Sequence, residues 1–379
     1  MKSKASIFIF LFFWFVSLLS WGQNFQKISN KEGFNQNTVV EIVQDQHGFL
    51  WFATPNGLIS FDGQQFTTHT GGPNQSNTIS DNNISSLFVD HKGLIWIGNR
   101  IGLDIYIPSK ERFVKIPIPE KFEINHITND QSNNVWISTG KGIMLIEPSP
   151  IKNHQFEVAD FVSFNLTDNP TINSFHFTKE KLLLATTNGL FETTVNYSKS
   201  KTEISSENLL SVPELKSLNV LSIKEFEEGY WIGTDDGVFF VSKKEGNFQV
   251  TRQFKKEYFE IQDKFPFVVI SIFVDKSGTN WFGTKHHGLI KYDLKKDNYT
   301  KYQYNPKDPN GISSTYINCV FQDNFDVIWL GTAQGGINKL DLHQKPFFNY
   351  QNNPFIKSSL SGNLITSILE DSSGYLWVS

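Results

Sequence analysis

The sequence predicts an all-β fold built from repeats, and three observations carry that reading. Aromatic residues make up 15% of the 379 residues, with 35 Phe, 11 Tyr and 9 Trp, while charged residues reach only 19%. This balance favours strands. No segment shows sustained helical periodicity. Every tryptophan after residue 22 falls in one recurring context.

Those tryptophans are Trp51, Trp96, Trp136, Trp231, Trp281, Trp329 and Trp377, in segments reading WFATPNG, WIGNRIG, WISTGKG, WIGTDDG, WFGTKHHG, WLGTAQGG and WVS. The wide gap between Trp136 and Trp231 holds one further copy, LLATTNG, with Leu183 in the tryptophan slot. Slot spacings are then 45, 40, 47, 48, 50, 48 and 48 residues. Other columns keep phase. Six residues before the slot stand Asp45, Asp90, Asp130, Phe177, Glu225, Asp275, Asp323 and Asp371. Three residues after it stand Thr54, Asn99, Thr139, Thr186, Thr234, Thr284 and Thr332. A glycine follows that position in every complete copy, from Gly57 to Gly336.

The first copy shows what one repeat contains. Strand signals cover about Val39–Gln44, Phe49–Thr54, Leu58–Phe61 and Phe66–Thr70. Asp45-Gln46-His47-Gly48 joins the first two, because Asp at the first turn position accepts backbone N–H bonds and Gly suits the exit. Gly57 opens the third strand where a tight hairpin needs positive φ. Four strands per roughly 47 residues, repeated seven or more times, is the signature of a β-propeller. A single blade cannot bury both of its faces, whereas a ring of blades can. The eight slot residues, Leu183 included, are therefore read as core wedges between blades. Each buried Trp removes ~150–250 Å² from water, about 4–6 kcal/mol at ~25 cal/mol/Å².

The ends of the chain fix how the ring closes. Phe25–Ser29 resembles the fourth-strand stretch Phe66–Thr70. It is expected to complete the blade whose other three strands come from repeat seven. Phe347–Gln351 would then open a second ring. The predicted organisation is a signal peptide over 1–22, a seven-bladed propeller over about 24–344, and the truncated start of a second propeller over 345–379. The signal reading rests on Lys2 and Lys4 followed by the apolar run Ile7–Leu19. Thirteen apolar residues rise about 20 Å as a helix, short of a ~30 Å hydrocarbon core. Export, to the periplasm, is the implied location.

Composition excludes several functions. Lys+Arg total 34 against 38 Asp+Glu, so the electrostatic footprint of a nucleic-acid binder is missing. One cysteine, Cys319, permits no internal disulfide and no multi-cysteine metal site. It is read as a buried strand residue.

The recurring pattern N-x-V/I…D-x-x-G-x-L-W-x-G-T-x-x-G-L resembles the two-component regulator propeller repeat. Its clearest instances are NTVVEIVQDQHGFLWFATPNGLISFDG and NNISSLFVDHKGLIWIGNRIGLDIY. The opening looks like the periplasmic sensor region of Bacteroidetes-type hybrid two-component systems. The resemblance implies a longer protein: two propellers, a small β-sandwich, a transmembrane helix, a histidine kinase and often a DNA-binding output. It also implies oligosaccharide as the ligand class, an inner-membrane anchor supplied by downstream segments, and allows a homodimer in the full-length form. No kinase motif or second hydrophobic span follows residue 22, so the chain reads as the N-terminal part of such a sensor. The alternative is a secreted protein- or glycan-binding propeller without signalling output, and a propeller glycosidase is the third reading.

No cofactor and no metal are expected. The recurrent aspartates sit in equivalent turns around a ring, whereas a glycosidase needs two carboxylates facing each other across one pocket. His286 and His287 are adjacent in sequence and, if in a strand, point to opposite faces. No carboxylate is evident near them. The candidate ligand-binding residues are instead those that vary behind the constant Thr: Asn56, Arg100, Lys141, Asn188, Asp235, Asp236, His286, His287 and Gln334. They fall in the loops between second and third strands, which cluster at one end of the channel if first strands lie innermost. Constant frame and variable loops is how repeat folds carry function.

Overall fold

The computed structural model describes residues 25–343, 352 and 359–379, apart from 73, 117, 119–120, 141, 147–160, 163–169, 179–180, 198–201, 205–209 and 245–246. The signal-like segment, Lys141 and the strand expected at Phe347–Gln351 lie outside the described residues. The chain divides into two compact units, Met1–Leu342 and His343–Ser379.

The first unit contains seven four-stranded antiparallel sheets. Blade one has strands Glu41–Gln44, Leu50–Thr54, Gly57–Phe61 and Phe66–His69, as the turn chemistry predicts. The first strands of blades two to seven begin at Ile84, Ile124, Ile172, Val220, Val269 and Ile317. Each touches the first strand of the next blade, and blade seven touches blade one, so first strands form an unbroken inner ring. Gln26–Ile28 pairs antiparallel with Ile337–Asp341, in register Lys27 with Asn338. The last ring blade therefore takes its outer strand from the start of the chain. Helical structure among the described residues is confined to 3₁₀ turns of three residues such as Asn30–Glu32. Blade four carries an extra hairpin, Val195–Tyr197 with Thr202–Ile204, before its outer strand Leu210–Ser211.

The apolar core divides into seven clusters, and each joins two neighbouring blades. Trp51, for example, packs with Ile84, Leu87 and Ile97 of blade two. Trp281 packs with Ile317 and Leu330 of blade seven. The slot residues of the ring are thus wedges between blades, all at most 4% exposed.

The sixfold spacing from Asp to Trp has a reason beyond turn formation. Asp275 Oδ1 accepts the backbone N–H groups of Ser277 and Thr279, both at 2.9 Å. Its Oδ2 accepts the indole Nε1–H of Trp281 at 2.8 Å. Asp45, Asp90, Asp130 and Asp323 repeat the arrangement with Trp51, Trp96, Trp136 and Trp329 at 2.8–2.9 Å. One carboxylate closes the turn and satisfies a buried indole.

Two positions depart from that column, as the sequence indicates. Phe177 pairs with Leu182, and Glu225 pairs with Tyr230, so both lie on strands where blade one has Gln44 opposite Leu50. Four residues separate each of these pairs, against five between Gln44 and Leu50. Counting residues back from the slot therefore lands one position early. Blade four lacks both the Asp and the Trp. Blade five keeps the Trp, and the buried Trp231 Nε1 has no hydrogen-bond acceptor among the described residues.

Near the axis the blades meet without room for side chains. The second residue after the slot is Ala53, Gly98, Ser138, Ala185, Gly233, Gly283 or Gly331. A Cβ on Gly233 would lie 2.7 Å from the Val269 carbonyl of the next blade. Opposite these residues on the inner strands stand Glu41, Ser86, His126, Ser174, Ser222, Ser271 and Cys319. Cys319 is only partly buried; burial raises its thiol pKa, and the Glu41 charge adds to this.

Glu41 is the one carboxylate in that column. It accepts the Leu87 N–H of blade two at 2.6 Å. Burial pushes its carboxyl up to about 7, with the Leu87 N–H and neighbouring Ser86 opposing the shift. A pKa raised on folding means the folded chain holds a proton that the unfolded chain releases. The contribution to stability is complete below about 4.5 and is lost as pH rises through about 7. Glu41→Gln is therefore expected to stabilise the protein at pH 8 relative to pH 5 by about 1–3 kcal/mol. Urea unfolding of both proteins at the two pH values checks this; an equal difference at both would remove Glu41 as the cause.

The second unit contains one hairpin, Ile368–Glu370 with Leu376–Val378. Asp371 again accepts Trp377 Nε1–H at 2.8 Å, and Trp377 is 64% exposed. The local Asp–Trp device therefore forms in a hairpin that no other described strand of its unit covers.

Candidate functional site

Antiparallel strands place the second-to-third hairpins and the inter-blade segments at one end of the ring. The hydrogen bonds agree. Arg100 N–H donates to Asn83 O at 3.2 Å, Asp235 N–H to Asn219 O at 3.1 Å and Lys285 N–H to Val268 O at 3.0 Å. Each hairpin tip is thus tied to residues just before its own inner strand. The constant Thr shapes the tip itself. Thr54 Oγ1 donates to Gly57 O at 2.6 Å and accepts the Asn56 N–H at 3.2 Å. Thr186 and Thr234 repeat this. In blade two Asn99 replaces Thr, and its Oδ1 accepts the Ile101 N–H at 3.0 Å.

The variable residues hang from this frame. Asn56 donates through Nδ2 to Gln36 Oε1 at 2.9 Å. Arg100 faces Asp81 at 3.8 Å with its side chain 65% exposed. Asp235 Oδ1 accepts the Asn219 N–H at 3.0 Å, and Asp236 pairs with Lys255 at 2.5 Å. Asn188 sits half-buried and Gln334 exposed on their tips. All share the same face, but these contacts stay within single blades.

The two histidines divide as adjacent residues should. His286 stacks on Phe265 with ring centroids 5.0 Å apart. Burial, then the Lys285 charge, lowers its pKa. His287 is buried, and its Nε2 lies 3.1 Å from Asp263 Oδ1. A carboxylate therefore does stand beside His287, contrary to the sequence reading. It comes from 24 residues upstream, in the inter-blade segment, where spacing gives no signal. Lys285 Nζ lies 6.0 Å over the Tyr316 ring of blade seven, linking two blades at this rim.

A further set of residues stands at the start of the inner strands, in no column that the sequence displays. In blades two to seven the inner strand bulges at its second residue. In four of these the bulged side chain reaches the next blade. Ser85 donates to Ile124 O at 2.6 Å, Asn125 to Ile172 O at 3.0 Å, Asn173 to Val220 O at 2.7 Å and Asn318 to Val39 O at 2.8 Å. The mouth is consequently rich in half-buried amides. It offers hydrogen bonds and little net charge.

With this geometry in place, likeness to known proteins becomes informative. A family profile described as two-component regulator propeller matches residues 78–100, 311–334 and 359–379. Those three segments match the two-component regulator propeller repeat. The two matched ring segments share a structural device. Ser80 donates its N–H and Oγ–H to Asp104 Oδ2, both at 2.8 Å, and Ser313 does the same to Asn338 Oδ1 at 3.0 and 2.7 Å. The inter-blade segment is thereby pinned to the third strand.

The chain is 32% identical over 81 residues to histidine kinase P4 of Formosa agariphila, covering 20% of this chain and 6% of that protein. In structure it is similar to the extracellular domain of hybrid two-component system BT3049 of B. thetaiotaomicron, with TM-score 0.67 and 24% identity over 94% of this chain and 46% of that one. The corresponding domain of BT4673 gives TM-score 0.66 and 21% identity over 94% and 44%. The chain thus spans under half the length of these extracellular domains. Virginiamycin B lyase of Staphylococcus aureus shares the fold at TM-score 0.61 and 14% identity. Enzymes and sensors both use this ring, so the fold alone does not assign an activity.

Proposed function

We propose that the chain is the extracytoplasmic ligand-sensing propeller of a two-component sensor, and that its amide-rich loop face binds oligosaccharide. The observation that carries this reading is the joint occurrence of regulator propeller repeats and a continuous fold match, over 94% of the chain, to extracellular domains of hybrid two-component systems. The mouth chemistry supports the ligand class. Half-buried amides with exposed Arg100 and Gln334 around them suit a polyhydroxylated molecule, which needs many oriented hydrogen bonds. Signal output belongs to a kinase in a longer protein.

The test is a glycan-array screen followed by calorimetry on the full chain. A hit is expected to weaken at least about tenfold when Arg100, Asn188 and Gln334 are replaced together by Ala, with the melting temperature unchanged. Binding that survives the triple replacement would move the site off this face. No binding across neutral and anionic glycans would favour the protein-binding alternative.

A further inference from the structure

Blade four departs from the repeat, and a cavity lies against its third strand. On the third strand of each blade one residue lies directly across from the slot. In the other ring blades it faces a tryptophan: Ser60, Ile105, Leu145, Phe240, Lys291 and Lys339. Lys291 and Lys339 lie over their indoles at 5.1 and 6.0 Å. In blade four the residue is Glu192, and it faces Leu183. Leucine is much smaller than an indole and has no π-face to hold a cation. Glu192 is 2% exposed, and its Oε1 lies 2.9 Å from Lys181 Nζ.

A cavity of about 340 Å³ lies against Glu192, between the outer strands of blades four and five. Its other walls include Ser211, Glu214, Asn247, Phe248 and Gln249. The volume is at the lower end of the range for small-molecule sites, ~300–1,000 Å³. Phe248 supplies an apolar wall, backed edge-on by Tyr230 at 5.6 Å. Among the described residues the polar lining holds two carboxylates, two amides and a hydroxyl, and the nearby Lys243 Nζ lies 5.3 Å over the Phe248 ring. Lys181, which balances Glu192, is outside the lining.

We propose that this inter-blade cavity binds a small amine-bearing molecule, its ammonium directed at the Glu192 and Glu214 carboxylates and its carbon frame resting on Phe248. The site is separate from the loop face and does not depend on the sensor reading. A carboxylate facing a cavity gives an ammonium both a charge-assisted hydrogen bond and an ion pair, and a neutral polyol only the hydrogen bond.

Calorimetry on the full chain with glucosamine and putrescine as probes, and glucose as the neutral control, tests this. Glucosamine or putrescine is expected to bind at least about tenfold more tightly than glucose. Ser211→Trp, which fills the cavity from an exposed wall position, is expected to abolish binding. Because Glu192→Gln also strands Lys181, the exposed Glu214→Gln is the charge variant; it is expected to weaken binding about tenfold at unchanged melting temperature. The proposal is overturned if neither amine binds at about 10 mM. It is equally overturned if glucose binds as well as the amines, or if Ser211→Trp binds them undiminished.

Discussion

Gly283→Val is expected to destabilise the ring by at least about 3 kcal/mol, at the top of the range for overpacked cores. A Cβ at this position would lie 2.9 Å from the Ile317 carbonyl oxygen and 3.1 Å from the Ile317 side chain, both in blade seven. It would also collide with Ser271 Oγ on its own blade. The serine can rotate, but the carbonyl is backbone of the inner strand next door. Relief requires blades six and seven to separate near the axis, where six further contacts between first strands would have to adjust. Gly233→Val and Gly331→Val are expected to behave alike, since Val269 O and the Val39 side chain stand 2.7 and 2.9 Å from their Cβ positions. Ala185→Gly removes one methyl from a place that already accommodates it, and should cost about 1 kcal/mol. Urea unfolding followed by tryptophan fluorescence measures both. A Gly283→Val protein within 1 kcal/mol of the parent would show that the blades are not in close contact there.

The second large effect is expected at Asp275→Ala, about 3–5 kcal/mol. The substitution strips the acceptor from two turn N–H groups and from the buried Trp281 Nε1. Hydrogen bonds to a charged group contribute about 1.5–3 kcal/mol each, and an orphaned buried donor adds its own desolvation cost. Trp281→Leu alone leaves a cavity and should cost about 3–5 kcal/mol. The double variant Asp275→Ala/Trp281→Leu should cost less than the sum by at least about 1 kcal/mol, because the acceptor no longer has an indole to serve. Blade four fits the coupling, having Thr178 and Leu183 where blade three has the bonded Asp130 and Trp136. Strict additivity in a double-mutant cycle would refute the shared role of the carboxylate.

How far the sequence reaches is visible in these same positions. The blade count and strand order were legible because every slot tryptophan lies next to tight-turn residues that keep phase. The Thr and Gly of the hairpin tips were legible for the same reason: both act within four residues of each other. The Asp–Trp bond was visible only as a spacing, since nothing in a sequence shows two side chains turning toward one another. Phe177 and Glu225 stood out as departures from the Asp column, but that their turns are one residue shorter shows only once the strands are paired. Asn125, Asn173 and Asn318 formed no column because the bulge that aims them exists only once the strands are paired. Asp263 was missed beside His287 because chain distance hides a contact made by an inter-blade segment. The cavity beside Glu192 left no mark in the sequence, because its walls come from segments as far apart in the chain as Glu192 and Gln249, which meet only when the outer strands pair.

The pairing of Lys27 with Asn338 sets the order in which the molecule can be made. Gln26–Ile28 is made long before the strand it pairs with. At roughly 5–20 residues per second, some 311 residues of synthesis separate the two, about 15–60 s. Until then blades one to six can stack as an open arc, while blade seven has an unfilled edge and blade one lacks a neighbour. Contacts this distant in sequence also make for slow closure. The nascent ring is therefore a species with two exposed sticky flanks and a lifetime of many seconds, and a holding chaperone that covers strand edges is what such a biosynthesis calls for.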